Sequence, residues 1–205
     1  MIRVNEKYFV LFGVMATLIV GIAQDFFSRI AKSIIFFECA NLLIVVIVIS
    51  ILLIFFPERF RISKVTLLMA ISGIVLACLY YCIFGKAPEL SNSSKPIELS
   101  VFIIYIIDIG LVTPFFEELV VRRLLFFGLA NWINKLFKSA KYLISAILVS
   151  IVFGFVHKNI ILIAFVFSII MCAASLKGIK TLDRAVLHGC YNIFVVMAPV
   201  ISPHF

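Results

Sequence analysis

Charge is what this sequence has least of. Charged residues make up 14% of its 205 residues against 64% hydrophobic ones, and the mean hydropathy is +1.24. A soluble domain carries about 25% charged and about 45–50% apolar residues. No soluble fold of this length could hide so much apolar surface, so lipid must solvate most of it. Cysteine is scarce as well: Cys39, Cys78, Cys82, Cys172 and Cys190, an odd number, all in apolar segments and none in a CxxC. That excludes a disulfide scaffold or a zinc knuckle. Cys78 and Cys82 share a helical face, where small apolar packing is role enough. No GxSxG elbow and no HExxH occurs, which argues against a serine hydrolase and a zincin. Period-two alternation is absent, which argues against a membrane barrel. No soluble segment is long enough to fold into a basic nucleic-acid surface.

What is there is a succession of apolar runs. A membrane-spanning helix needs about 20 mainly apolar residues, and candidates run over Phe9–Gln24, Ile34–Phe56, Val65–Phe84, Leu99–Phe116, Tyr142–His157, Ile160–Leu176 and Ala185–Ile201. An eighth, Leu119–Ile133, is apolar but carries two arginines near its start. Backbone groups in lipid must bond internally, so these spans are helical. The expectation is an all-α, polytopic transmembrane bundle of seven to eight helices. Residues 1–98 form spans without motifs, and 99–205 form the core that carries the chemistry. Leu99–Ile133 would be roughly 52 Å long as one helix at 1.5 Å per residue, more than a bilayer core. Pro114 removes a donor and clashes with the preceding turn, so a break or kink is expected at Thr113-Pro114. The 22 phenylalanines read as packing and lipid-facing surface.

The net charge of +8 reads as topogenic. Arg3 and Lys7 precede the first span, and Arg59, Arg61 and Lys64 follow the second. Lys135, Lys138 and Lys141 precede Tyr142, and Lys177, Lys180 and Arg184 lie before the last span. The loop 86–98 is charge-balanced. The positive-inside rule then places the N-terminus in the cytoplasm and the 86–98 loop outside, as a multi-pass protein of the cell membrane. Gly21-Ile22-Ala23 could mimic a signal-peptidase site after Val20, but a retained first span is expected.

Ionisable residues inside spans are expensive and mark function. Here they are Asp108, Glu117, Glu118, Arg122, Arg123, His157 and His188. On a helix Glu118 and Arg122 stand four apart and can pair. Glu117 points about 100° away from Glu118, so the two acids are expected not to serve one partner. One is held by the arginine; the other faces a cavity, where a carboxylate suits general acid or base work. A helix-end ion pair at the membrane interface is the plainer alternative. His157 ends a span, with Phe153 one turn back to wall its ring from lipid. His188 and Asn192 are also four apart, and their N–H groups could converge into an oxyanion hole. Helix–helix hydrogen bonding is the plainer role for that pair. A base, an imidazole and a His/Asn donor pair are the minimum kit for hydrolysing an amide with water.

Three motifs, Glu117-Glu118-x-x-x-Arg122, Phe153-x-x-x-His157 and His188-x-x-x-Asn192, stand in this order on separate spans. Together they resemble the CAAX prenyl endopeptidase and bacteriocin-processing family (CPBP, also called Abi), over about residues 99–199. The resemblance implies an eight-helix fold and a membrane endopeptidase. Glu117 would activate water, His157 would help hold it, His188 and Asn192 would stabilise the oxyanion, and Glu118 and Arg122 would support. It leaves open a metalloprotease in which Glu117, His157 and His188 hold a divalent ion such as zinc. The sequence departs from the family at Arg123, where glycine is common, and at Ser168 and Cys172, where other small residues are expected.

The function expected is cleavage of a peptide or protein substrate at the lipid bilayer, in bacteriocin processing or self-immunity. A non-catalytic membrane scaffold that regulates a partner protein is the alternative, and a proton-relaying transporter using Asp108 and Glu117 is the third. Intact Glu117, His157, His188 and Asn192 favour catalysis, and the absence of a repeat weakens the transporter.

Overall fold

In the computed structural model the chain is described over residues 5–58, 60–84 and 98–201. It is all-α. Among the described residues seven helices stand in order: α1 Phe9–Ile30, α2 Ile34–Phe55, α3 Lys64–Phe84, α4 Leu99–Ile133, α5 Lys141–Val156, α6 Ile161–Leu176 and α7 Thr181–Ile201. α1 to α4 are each long and apolar enough to cross a membrane. The loop 86–98, apart from Glu98, and Arg3 and Arg59 lie outside the described residues, so the charge argument for those positions has no structural counterpart.

The helix ends follow local chemistry. Ser33 caps α2, its Oγ accepting from Phe36 N–H at 3.2 Å, as a side-chain oxygen does at an N-terminus. Pro57 follows the end of α2. α6 closes with paired bonds, Gly178 N–H to Ser175 carbonyl at 3.0 Å and Ile179 N–H to Ala174 carbonyl at 3.1 Å. This turn needs a residue in the left-handed region, and Gly178 supplies it at φ 78°.

α4 is the central element, packed by α1, α2, α5, α6 and α7, while α3 lies along α7. The main apolar cluster joins α1, α2 and α4 through Ala16, Val20, Val45, Val48, Leu52, Phe116, Leu119 and Leu124. A second, Ala77, Tyr80, Tyr81 and Val195, seals α3 to α7, where Tyr81 Oη donates to the Val195 carbonyl. The outward faces stay apolar: Ile22, Leu67, Ile83, Phe155 and Leu162 are each well exposed. Such surface is disposed of only in lipid, and it associates the molecule with the bilayer. Ser168 and Cys172, the two departures on α6, are fully buried, and Ser150 Oγ donates to Ser168 Oγ at 2.9 Å. Small side chains are what this close α5–α6 contact requires.

The expected break at Thr113-Pro114 is not a break. α4 runs unbroken through it because the backbone shifts register over Asp108–Val112 and again over Glu118–Phe126, both π-helical. Such segments are frequent at functional sites. Thr113 N–H reaches back five residues to the Asp108 carbonyl. In that register the Ile109 carbonyl would need the amide proton of Pro114, which proline lacks. Leu99–Phe116 and Leu119–Ile133 are therefore one helix.

Candidate active site

The second π-helical stretch begins at Glu118, and it sets the directions of the two acids. Glu118 and Arg122 are fully buried, and Arg122 Nε lies 3.6 Å from Glu118 Oε1. That ion pair is as the spacing predicts, but it is looser than a hydrogen bond: none of the three guanidinium nitrogens has a hydrogen-bond partner among the described residues. The Phe153 ring covers the charge instead, its centroid 4.5 Å from Arg122 Cζ, a cation–π contact. The tight bond to Glu118 comes from Arg184, whose Nε donates to Oε2 at 2.9 Å. Arg184 is buried, not a loop charge. α7 starts at Thr181, four residues before the expected start, and this puts Arg184 inside the bundle opposite an acid that needs a counter-charge.

His188 sits between the acids. Its Nδ1 lies 3.7 Å from Glu118 Oε1 and its Nε2 lies 3.7 Å from Glu117 Oε2. The two glutamates therefore do share a partner, contrary to the expectation from their 100° separation. An imidazole presents two nitrogens on opposite sides of one ring, so it reaches both acids from a third helix. The ring lies tilted against Phe167, centroids 4.8 Å apart, and 6.4 Å from Phe153.

Asn192 has a different partner. Its Nδ2 donates at 3.1 Å to the Ile109 carbonyl, the acceptor that Pro114 leaves without a helical donor. α7 reaches that carbonyl because Gly189 meets Gly110: a Cβ on Gly189 would stand 1.8 Å from the Gly110 oxygen. One amide N–H of Asn192 is thus spent on the helix contact and the second remains.

His157 closes α5. Its Nδ1 is 2.8 Å from the Phe153 carbonyl; because a carbonyl only accepts, the proton is on Nδ1, and in the neutral ring Nε2 is left as an acceptor. Its ring lies against Phe153, centroids 4.3 Å apart, which is the shielding expected of that pair. Asp108 accepts from Thr113 Oγ1 at 2.9 Å. Arg123, the other departure, pairs with Glu58 after α2, and Glu58 also accepts from Thr181 Oγ1 at 2.7 Å.

Glu117 and His157 meet at one cavity of about 490 Å³ between α1, α4 and α5. The rest of its wall is almost wholly apolar, including Val14, Val20, Phe116, Val121, Leu148 and Val152. Among the described residues Glu117 is the one carboxylate on that wall, and its side chain is 19% exposed where that of Glu118 is 0%. The structure thus brings Glu117, Glu118, Arg122, Phe153 and His188 into one cluster, with His157 at its edge and Asn192 two turns from Arg184 on the same helix. Among the described residues no three His, Cys, Asp or Glu side chains are grouped to hold a metal ion. His157 is turned onto its own backbone and His188 onto the glutamates, so the set Glu117, His157 and His188 does not fit a zinc site as arranged.

Residues 99–194 match the family profile described as Rce1-like, type II CAAX prenyl endopeptidase. This match supports assigning the region to the CPBP family. No curated protein and no solved structure matches the chain. The match over this region supports a protease of the CAAX type, a class that acts on peptide substrates. The matched residues contain all three motifs and also Arg184, which the motif spacing does not include. The sequence signal that could have found Arg184 is its own spacing: it stands four residues before His188, on one face of α7. Asp183, bonded by Thr66 Oγ1 across α3 and α7, and Glu58 had no such signal, because their partners are distant in sequence.

Proposed function

We propose that the protein is a multi-pass endopeptidase of the cell membrane in which Glu117 activates water against a peptide bond held in the apolar cavity. The observation that carries this reading is that the one carboxylate on the cavity wall, Glu117, shares that wall with His157. Water bound between the Glu117 carboxylate and His157 Nε2 would lose a proton to Glu117 as its oxygen attacks the carbonyl carbon. The C–O bond forms, negative charge moves to the carbonyl oxygen, and His188, beside Glu117, would donate to it. Glu117 then returns the proton to the leaving nitrogen as the C–N bond breaks. Glu118 and Arg122 hold the helix and the His188 ring. Asn192 aligns α7 on α4 and offers its second N–H. Among the described residues the cavity wall has no ionisable side chain besides Glu117 and His157, which suits a peptide presented with an apolar or lipid chain. Peptide or bacteriocin processing and self-immunity are the settings that fit such a substrate.

The test is complementation of a deletion strain by Glu117→Ala, His157→Ala and His188→Ala, with each protein measured by blot in the membrane fraction. Loss of function at normal abundance is expected for all three, because losing one such donor costs about 10²–10³ in rate. Asn192→Ala should be milder. Full complementation by Glu117→Ala at normal membrane level would remove the catalytic reading and leave a scaffold.

A further inference from the structure

Glu118 faces two buried guanidiniums and hydrogen-bonds one of them. Arg122, the arginine of the motif, approaches to 3.6 Å without a bond. Arg184, which belongs to none of the three motifs, makes the single hydrogen bond to the Glu118 side chain seen among the described residues, at 2.9 Å. The difference matters because a carboxylate turns easily about its terminal bond, whose torsion is broad. A charge contact at 3.6 Å pulls on the group without fixing its plane, whereas a hydrogen bond is directional.

We infer that Arg184 is a positioning residue: by holding Oε2 it fixes the plane of the Glu118 carboxylate, and so sets where the Oε1 charge stands beside the His188 ring, 3.7 Å from Nδ1, while Nε2 of that ring lies 3.7 Å from Glu117. The inference rests on the catalytic reading of Glu117 and His188 given above. Arg184 is itself anchored at a second point. Its Nη1 donates to the carbonyl of Ile179, in the turn that Gly178 closes between α6 and α7. The planar guanidinium can hold a backbone oxygen and a carboxylate at once, which a lysine ammonium on a flexible stem does with less definition. A chain of contacts thus runs from the α6–α7 turn through Arg184 and Glu118 to His188 and so to Glu117.

The spacing explains why one helix can do this. Arg184 and His188 are four residues apart on α7 and project from one face; both reach the same acid, 66 residues back in sequence for Arg184. Arg122 alone would neutralise Glu118 but would leave its plane free.

The test is nitrogen NMR of the detergent-solubilised protein labelled with ¹⁵N-histidine. The sequence has three histidines, and His157→Asn, His188→Asn and His204→Asn variants assign them. Arg184→Met should still fold, because Arg122 remains beside Glu118. It should move the ring resonances of His188 and leave those of His157 in place, a pattern that general loosening would not give. On a prenylated CAAX-type peptide its kcat should fall by up to about 100-fold with KM little changed. If Arg184→Met does not accumulate, Arg184→Lys, which keeps the charge and loses the two-point fork, carries the same measurement. A folded variant of either kind whose His188 resonances stand at wild-type positions overturns the inference. The catalytic reading fails separately: Glu117→Ala protein that still functions would sink that reading, while the ring resonances would go on reporting on Arg184 alone.

Discussion

The first three helices and the last four treat polar groups in opposite ways. Among the described residues the buried polar side chains of α1 to α3 are Asn41 and Thr66. In α4 to α7 and their connections they are Glu118, Arg122, Ser145, Ser150, Ser168, Ser175, Thr181, Asp183, Arg184 and His188. Two of these are arginines and two are acids, at depths where an unpaired charge costs several kcal/mol. The first half answers to lipid on one side and to van der Waals contact on the other, and many apolar residues satisfy both. The second half must pair every charge it buries, and only particular residues at particular places do so. Yet the first half is not mere wrapping. α1 contributes Val10, Val14, Thr17, Val20, Gly21 and Gln24 to the wall of the cavity that holds Glu117, so it shapes what enters while the second half decides what happens there.

The strongest way to break that contrast is Glu118→Gln. It would leave Arg122 and Arg184 buried with no carboxylate between them, at a cost of about 3–5 kcal/mol. The expected result is a clear fall in melting temperature in detergent and in membrane abundance. A variant that melts like wild type would show that these arginines do not depend on Glu118. The next largest effect is expected from Gly189→Ala. The added carbon would collide with the Gly110 backbone oxygen, and backbone does not step aside as a flexible side chain can. Overpacking of this kind costs about 1–3 kcal/mol. It should also part Asn192 from the Ile109 carbonyl, and the readouts are thermal stability and amide exchange protection near the Asp108–Val112 segment.

The smallest stability effects belong to α1, and two neighbouring positions there separate wrapping from shaping. Ile22 is 68% exposed, so Ile22→Ala should stay within about 0.5 kcal/mol of wild type and leave function intact. Gly21 lines the cavity, and a Cβ there meets nothing within 4 Å. Gly21→Phe should therefore fold with nearly unchanged melting temperature while obstructing the cavity and lowering complementation. Equal function in both variants would mean that the cavity mouth at α1 is not the way in.

Much of this was legible in the sequence. Six of the seven helices each fall on one apolar run, with ends shifted by up to six residues, and α4 joins the other two runs, because a run of about 20 apolar residues leaves a backbone in lipid no other way to satisfy its hydrogen bonds. The Glu118–Arg122 pair and the contact of Phe153 with His157 follow from four-residue spacing on single helices. Other features misled. Pro114 reads as a break, because nothing local shows that a π register can carry the helix past it. Arg184 reads as a topogenic charge in a loop, because the helix start that buries it lies in a polar stretch, Lys177 to Asp183, that resembles any interfacial connection.

The sequence by itself determined that this chain must live in lipid and that it is built of helices, and it singled out the acids, imidazoles and amide that are the candidates for its chemistry. Those properties depend on composition and on spacing within one helix, and both are local. Only the tertiary structure decided the partners: that Arg184 rather than Arg122 bonds Glu118, that one His188 ring serves both glutamates, and that Asn192 takes the carbonyl Pro114 leaves open. The reason is that a buried charge or orphaned carbonyl can be satisfied by any suitable group, near or far in sequence. Which group arrives is set by how α4, α5 and α7 converge, at contacts such as Gly110 against Gly189 that no single helix contains.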